Sequence, residues 1–173
     1  MRSPKIAKAI FVDTPDKLDQ MIRALSKQAI IAVDTESNSL YAYQERVCLM
    51  QFSSPEKDYL VDPLAIDASP LGPLFRSPDI EKIFHAAEYD LIMLDHDFGF
   101  QVSNLFDTMV AARILGWKAV GLGSILREQF GINVEKKYQR ANWGRRPLPD
   151  EMLTYAQLDT HYLIPLRHAS KPS

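Results

Sequence analysis

The stretch "IIAVDTES", residues 30–37, begins as an apolar strand and ends with two carboxylates two residues apart. A strand has a period of two, so Asp34 and Glu36 share one face while Thr35 points to the other. Like charges held side by side repel, and burial makes each ionised form costlier still. A chain that keeps such a pair at the end of a buried strand needs something to compensate it. The remaining sequence says what kind of fold holds that strand and what the compensation is.

Short apolar runs alternate with helical patterns on either side of residues 30–37, which points to the α/β class. AIFVDT (9–14) reads as a strand. DKLDQMIRALSK (16–27) reads as a helix, because Leu18, Met21, Ile22 and Leu25 fall at i, i+3, i+4 and i+7. AIIAVDTE (29–36), VCLMQFSS (47–54) and DYLVDP (58–63) read as three strands whose short separations predict antiparallel neighbours. Residues 64–78 read as loop with one helical turn around LGPLF, and IEKIFHA (80–86) as a further strand. A helix through EYDLIMLDHDF is expected to stop at Gly99, a good C-cap residue. Beyond it the pattern is helical: TMVAARIL (108–115) to Gly116, LGSILREQF (122–130) to Gly131, and a last region at about 149–167. Pro165 is expected to kink or end that last region. No repeat or linker interrupts the chain, so residues 1–173 are read as a single domain.

Composition removes several function classes. No apolar run approaches the ~20 residues of a membrane span, and the N-terminus mixes Lys and Asp with short apolar stretches, unlike a signal peptide. The single cysteine, Cys48, lies inside VCLMQF, where a small buried residue fits, so no internal disulfide or cysteine zinc site forms. An intracellular, cytoplasmic location and no membrane partner are the expectations. GLGSIL (121–126) places Leu126 where a dinucleotide fingerprint needs its third glycine. There is no GxxxxGK[ST], no GxSxG and no HExxH. Hydride transfer, P-loop chemistry, serine hydrolysis and zinc proteolysis all lose support.

The remaining chemistry is acidic, basic and aromatic. HAAEYD (85–90) lies at a strand-to-helix transition, where Asp90 near a helix N-terminus is either a first-turn stabiliser or a functional acid and Glu88 competes with it. In YAQLD (155–159), Tyr155 and Asp159 are i and i+4 and so neighbours on one helix face. KKYQRANWGRR (136–146) holds five of the 20 Lys and Arg, with Tyr138 and Trp143 among them. That mixture is either a solvated loop with an anchoring Trp or a groove for a single strand, cations for phosphates and rings for bases. Asp107 reads as a helix N-cap and Asp62 as a turn residue.

In order, the elements are DxE on a strand, H-x4-D at a strand-to-helix turn and Y-x3-D on a late helix. With VCLMQF, HAAEYDLIMLDHDFG, NLFDTMVAARILG, GLGSIL and NWGRRPLPDEMLTYAQLDTHYLIPL, the sequence resembles the DEDDy 3′–5′ exonucleases over roughly residues 9–167. Within them it is similar to ribonuclease D and to the catalytic domain of the eukaryotic exosome exoribonuclease. The resemblance implies an RNase H-like fold, a mixed central sheet flanked by helices. It implies metal ligands at Asp34, Glu36, Asp90 and Asp159, with Tyr155 completing the catalytic set. Two divalent cations, Mg²⁺ or Mn²⁺, would then compensate the clustered acids. Asp34 would bridge both, Glu36 and Asp159 would complete one site, and Asp90 would support the other through water. Setting four of the 22 acids aside turns the net charge of −2 into +2, which suits an anionic substrate.

The implied reaction is hydrolysis of single-stranded RNA from its 3′ end to nucleoside 5′-monophosphates. A phenol with a pKa of about 10 is a poor base at neutral pH, so Tyr155 is assigned to orienting the water. Substrate-binding candidates are His85, for the terminal nucleotide, and Trp143 with Arg146, which would shape or line the groove. Buried structural roles account for these three nearly as well. The motifs read phosphates and do not separate RNA from DNA, so a DNA exonuclease of the same type stands as an alternative. A non-catalytic nucleic-acid-binding domain is a second and a metal-stabilised structural module a third.

Overall fold

The computed structural model describes residues 5–39 and 42–170. Among these described residues six strands form one sheet: β1 (Ile10–Val12), β2 (Ile30–Ser37), β3 (Val47–Ser53), β4 (Asp58–Val61), β5 (Glu81–Phe84) and β6 (Leu105–Asp107). Their order is β1-β4-β3-β2-β5-β6. β2, β3 and β4 are antiparallel neighbours, as their short connections require, while β1 joins β4, and β5 and β6 extend the sheet from β2, all in parallel. The sheet is therefore mixed.

Alternation along the strands divides the core. On one face Ile31, Val33, Met50 and Phe52 pack with Leu18, Met21 and Leu25 of α1 (Pro15–Leu25), Phe75 of α2 (Gly72–Arg76), and Met93 and Leu94 of α3 (Ala87–Phe98). On the other face Leu49 and Leu60 meet Met152, Tyr155 and Ala156 of α6 (Asp150–His161). Beside them Ala32 and Ile83 meet Ala112 of α4 (Thr108–Ile114), Ile125 of α5 (Leu122–Phe130), and Leu163 and Leu166 of α7 (Leu163–Ala169). With both faces covered, β3 is buried along its whole length, which is why VCLMQFS reads as a nearly continuous apolar run.

Three local features differ from the sequence reading. β6 is a three-residue strand inside NLFDTM, too short to show a period. The last helical region breaks at Tyr162 and not at Pro165, which lies in the first turn of α7. Proline has no N–H, and its ring clashes with the carbonyl four residues back, so the helix must restart just before it. The turn around LGPLF is a 3₁₀ turn, Ser69–Leu71, running into α2. Gly99 ends α3 as expected at φ +69°, and the N–H groups of Gly99 and Phe100 return to Asp95 and Leu94.

Two irregularities set the course of the chain at the end of β2 and at the start of α3. The β2–β3 register shifts between Glu36 and Ser37, so Cys48 is an extra residue in β3 and bends the strand beside the acids. The second is at Ala86, the residue before α3, which adopts φ +59°, a left-handed conformation costing about 1–2 kcal/mol in a non-glycine residue. Asp107 compensates: its two carboxylate oxygens accept from Ala86 N at 3.0 Å and Ala87 N at 2.8 Å. Hydrogen bonds to a charged group contribute about 1.5–3 kcal/mol each, enough to offset the turn. Asp107 also caps α4 through Met109 N and Val110 N, as the sequence predicts.

Candidate active site

The sharp turn at Ala86 sends α3 across the face of the sheet opposite α6. Pairing of β2 with β5 ends at Ala32↔Ile83, so the last residues of β2 run past their neighbour. There Asp34 and Glu36 face α6, and Thr35, opposite Met50, faces α3. Asp34, Glu36 and Asp159 each offer a carboxylate oxygen, and these three atoms lie within 4.8 Å of one another. Asp90 comes from the other face, buried, and accepts from the Thr35 hydroxyl at 2.5 Å. Glu88 is exposed, so Asp90 is the acid of the second motif that reaches the cluster.

Electrostatics matches the geometry. Burial, then the neighbouring Asp90 and Asp159 charges, holds the Asp34 carboxyl well above the usual carboxylate range. Burial and Glu36 do the same for Asp159. Glu36 is pushed up to about 8 by burial and then by Asp34. Asp90 is pushed to about 6 by burial, less than it would be without the Thr35 bond. A set of carboxyls raised together is a site whose ionised form lacks a counter-charge.

Tyr155 lies one helical turn before Asp159 on α6, as the spacing predicts. Its ring packs between Trp143 (centroids 6.0 Å apart, 27°) and Tyr138 (5.5 Å, 54°). Tyr138 is fixed in turn, its hydroxyl donating to Glu151 at 2.8 Å. Burial raises the Tyr155 phenol, and the Asp159, Glu36 and Asp34 charges raise it further, so it stays protonated at neutral pH.

The substrate-binding candidates are placed differently. Trp143 is 1% exposed and stands behind Tyr155, so it shapes the site but does not line a groove. Arg146 forks onto Asp62, with Nε to Oδ2 at 3.0 Å and Nη2 to Oδ1 at 2.9 Å. Its remaining donors meet the carbonyls of Trp143, Arg145 and Cys48, the last at the β-bulge. Arg146 is thus an internal staple with its donors taken. Asp62 is a buried ion-pair partner and not only a turn residue, although it does accept from Leu64 N. His85 has both ring nitrogens engaged, Nδ1 with the Thr108 hydroxyl and Nε2 with the Val120 carbonyl, each at 2.8 Å. Burial keeps its pKa low, so it is a neutral scaffold residue.

The basic segment borders the acids. Lys136–Arg140 form a 3₁₀ turn carrying Tyr138, and a Cβ on Gly144 would come within 3.7 Å of Asn38, next to the end of β2. Lys136, Lys137 and Arg145 are exposed there. A cavity of about 270 Å³ opens between Lys137, Tyr138, Glu151 and Tyr155.

Thr35, Asp107 and Gln51 border this site, and although they lie inside the quoted motifs the sequence reading gave none of them a part in it. Gln51 was legible in principle, being the one strongly polar side chain in VCLMQF. The Gln51 Nε2 donates to Glu36 at 3.3 Å and to Asp159 at 3.4 Å.

Residues 9–171 match the family described as 3′–5′ exonuclease. The yeast exosome complex exonuclease RRP6 is 41% identical over 157 residues, which are 90% of this chain and 21% of that protein. Across the curated relatives the chain spans 18–24% of their length. Among solved structures, the catalytic core of RRP6 from Trypanosoma brucei superposes with a TM-score of 0.90 at 36% identity, covering 98% of this chain and 49% of that one. RNase D of Escherichia coli, an exoribonuclease involved in structured RNA processing, gives 0.88 at 31% identity, covering 95% and 44%.

Proposed function

This chain belongs to the 3′–5′ exonuclease family, and from that premise we propose that it hydrolyses single-stranded RNA from the 3′ end, releasing nucleoside 5′-monophosphates with two divalent cations, Mg²⁺ or Mn²⁺. The observation that carries this reading is the convergence of Asp34, Glu36 and Asp159 within 4.8 Å, with Asp90 held beside them by Thr35. RNA is favoured over DNA because RNase D of Escherichia coli, whose fold this chain shares, is an exoribonuclease involved in structured RNA processing.

The donor set fits hard divalent cations. It is built of carboxylates, with no cysteine or histidine among the clustered groups, and its carboxyls are raised for want of positive charge. Asp34, Glu36 and Asp159 would hold one ion, and Asp34 with Asp90 the other. Bound there, the cations would neutralise the phosphodiester and lower the pKa of the attacking water. The protein's own groups do the rest. Tyr155, protonated and clamped between two rings, donates a hydrogen bond that orients the water or a phosphate oxygen. Exposed Lys136, Lys137 and Arg145 attract the backbone, which supports binding without reading sequence.

The experiment is a time course on a 5′-labelled single-stranded RNA and a matched DNA, each with Mg²⁺, Mn²⁺ or EDTA. The expected result is a ladder shortening from the 3′ end of the RNA, present with either ion and absent in EDTA. A faster ladder on DNA moves the substrate to DNA. Binding without shortening makes the chain a nucleic-acid-binding domain.

A further inference from the structure

Gln51 is a fully buried amide at the centre of the sheet, between Asp34 of β2 on one side and Leu60 of β4 on the other. Its neighbours on the same face are Leu49, two residues before, and Ser53, two residues after, so the side chain points toward α6 and the acids. Its Nε2 is shared between Glu36 and Asp159. Its Oε1 is buried and, among the described residues, has no hydrogen-bond partner.

The orientation of this amide is dictated by charge. Turned over, it would set a carbonyl oxygen against two carboxylates, whereas the NH₂ end offers each of them a donor. The same orientation strands the oxygen. Buried acceptors without partners are rare because each one costs stability, and Leu or Met in this strand would avoid the cost altogether. An amide at this position is therefore unfavourable for the core and favourable only for the two acids it touches. Those acids lie on different elements, Glu36 on β2 and Asp159 on α6. Gln51 links them across the gap between sheet and helix.

We propose that Gln51 is a positioning residue, its amide holding Glu36 and Asp159 in the arrangement that receives a divalent cation. The inference rests on the metal-dependent reading of this site. It does not make Gln51 a ligand. Partners that orient metal ligands in this way change metal affinity by roughly 10–100-fold when removed.

The test is a calorimetric titration of Mn²⁺ into the wild-type chain and into Gln51→Met, which keeps the length and removes the donor. Melting temperatures are measured in EDTA on the same samples. The expected outcome is an Mn²⁺ affinity at least about 10-fold weaker in the variant, with a melting temperature in EDTA equal to or above wild type. Wild-type affinity in the variant overturns the inference, and so does a variant that melts lower in EDTA in proportion to its lost affinity. Gln51→Leu is titrated in the same way, so a poor fit of Met alone does not decide the result. If the wild-type chain itself takes up no Mn²⁺, the metal reading fails first, and that result is distinct from a variant that merely matches wild type.

Discussion

The Thr35 hydroxyl donates to Asp90 at 2.5 Å, joining residues 55 positions apart that belong to opposite faces of the sheet. Thr35 lies between Asp34 and Glu36 and points away from both, toward α3. One three-residue segment at the end of β2 thus places acids on the α6 side and anchors the acid that arrives from the α3 side. Thr35→Val keeps the branched shape and removes the donor. Asp90 then loses its orienting bond, and activity on a 5′-labelled RNA in Mg²⁺ is expected to fall roughly 10–100-fold. Activity within about 2-fold of wild type would show that Asp90 is aimed by the turn at Ala86 alone.

The raised carboxyls predict how stability depends on pH. A carboxyl whose pKa rises on folding keeps its proton to higher pH in the folded chain than in the unfolded one. Stability therefore falls as pH climbs through that window. The window runs from 4.5 to about 8 for Glu36 and from 3.8 to about 6 for Asp90, and Asp34 and Asp159 move in the same direction. His85, whose pKa is lowered, acts oppositely near its ordinary 6.5. The decisive comparison is with an Asp34→Asn, Asp159→Asn variant. Melting curves in EDTA from pH 5.5 to 8 should show wild type losing ground to that variant as pH rises. Saturating Mn²⁺ should raise the wild-type melting temperature more at pH 8 than at pH 5.5.

Legibility in the sequence followed the range of each interaction. The period of two placed Asp34 and Glu36 together, and the i, i+4 spacing did the same for Tyr155 and Asp159, because both rules act within one element. The three-strand antiparallel centre followed from short connections. Arg146 and Trp143 stayed open between a groove role and a buried one because composition says which groups a segment contains and not where they point. The partners of Arg146, Asp62 and the Cys48 carbonyl, lie 84 and 98 residues away. Asp90 reaches the cluster only because β5 ends early and Ala86 turns left-handed, with Asp107 satisfying the turn from 20 residues on. No local pattern records that.

The internal role of Arg146 has a direct consequence. Asp62 is nearly fully buried, and removing one partner of a buried pair costs about 3–5 kcal/mol because the other charge is left uncompensated. Arg146→Met should lower the melting temperature by roughly 6–20 °C, at about 2–4 °C per kcal/mol for a chain of this size. Measured where the variant is still folded, the salt dependence of RNA binding should keep the wild-type slope. An Arg that gripped a phosphate would reduce that slope by about one.

Tyr155→Phe and Asp34→Asn separate the phenol from the proposed metal ligands. The Tyr155 hydroxyl is held protonated by burial and by three nearby acids, so it has no phenolate to offer as a base near neutral pH. Phe keeps the ring between Trp143 and Tyr138 and removes only the hydrogen-bond donor. The expected loss is roughly 10–100-fold in kcat, with the pH–rate profile unchanged in shape because the titrating groups are still present. Asp34→Asn removes the carboxylate assigned to both cations and should take 3′ shortening below detection at any Mg²⁺ concentration. Full activity in Asp34→Asn would dismiss the metal assignment. Loss of one limb of the pH profile in Tyr155→Phe would instead make Tyr155 the proton acceptor, against the charge that surrounds it.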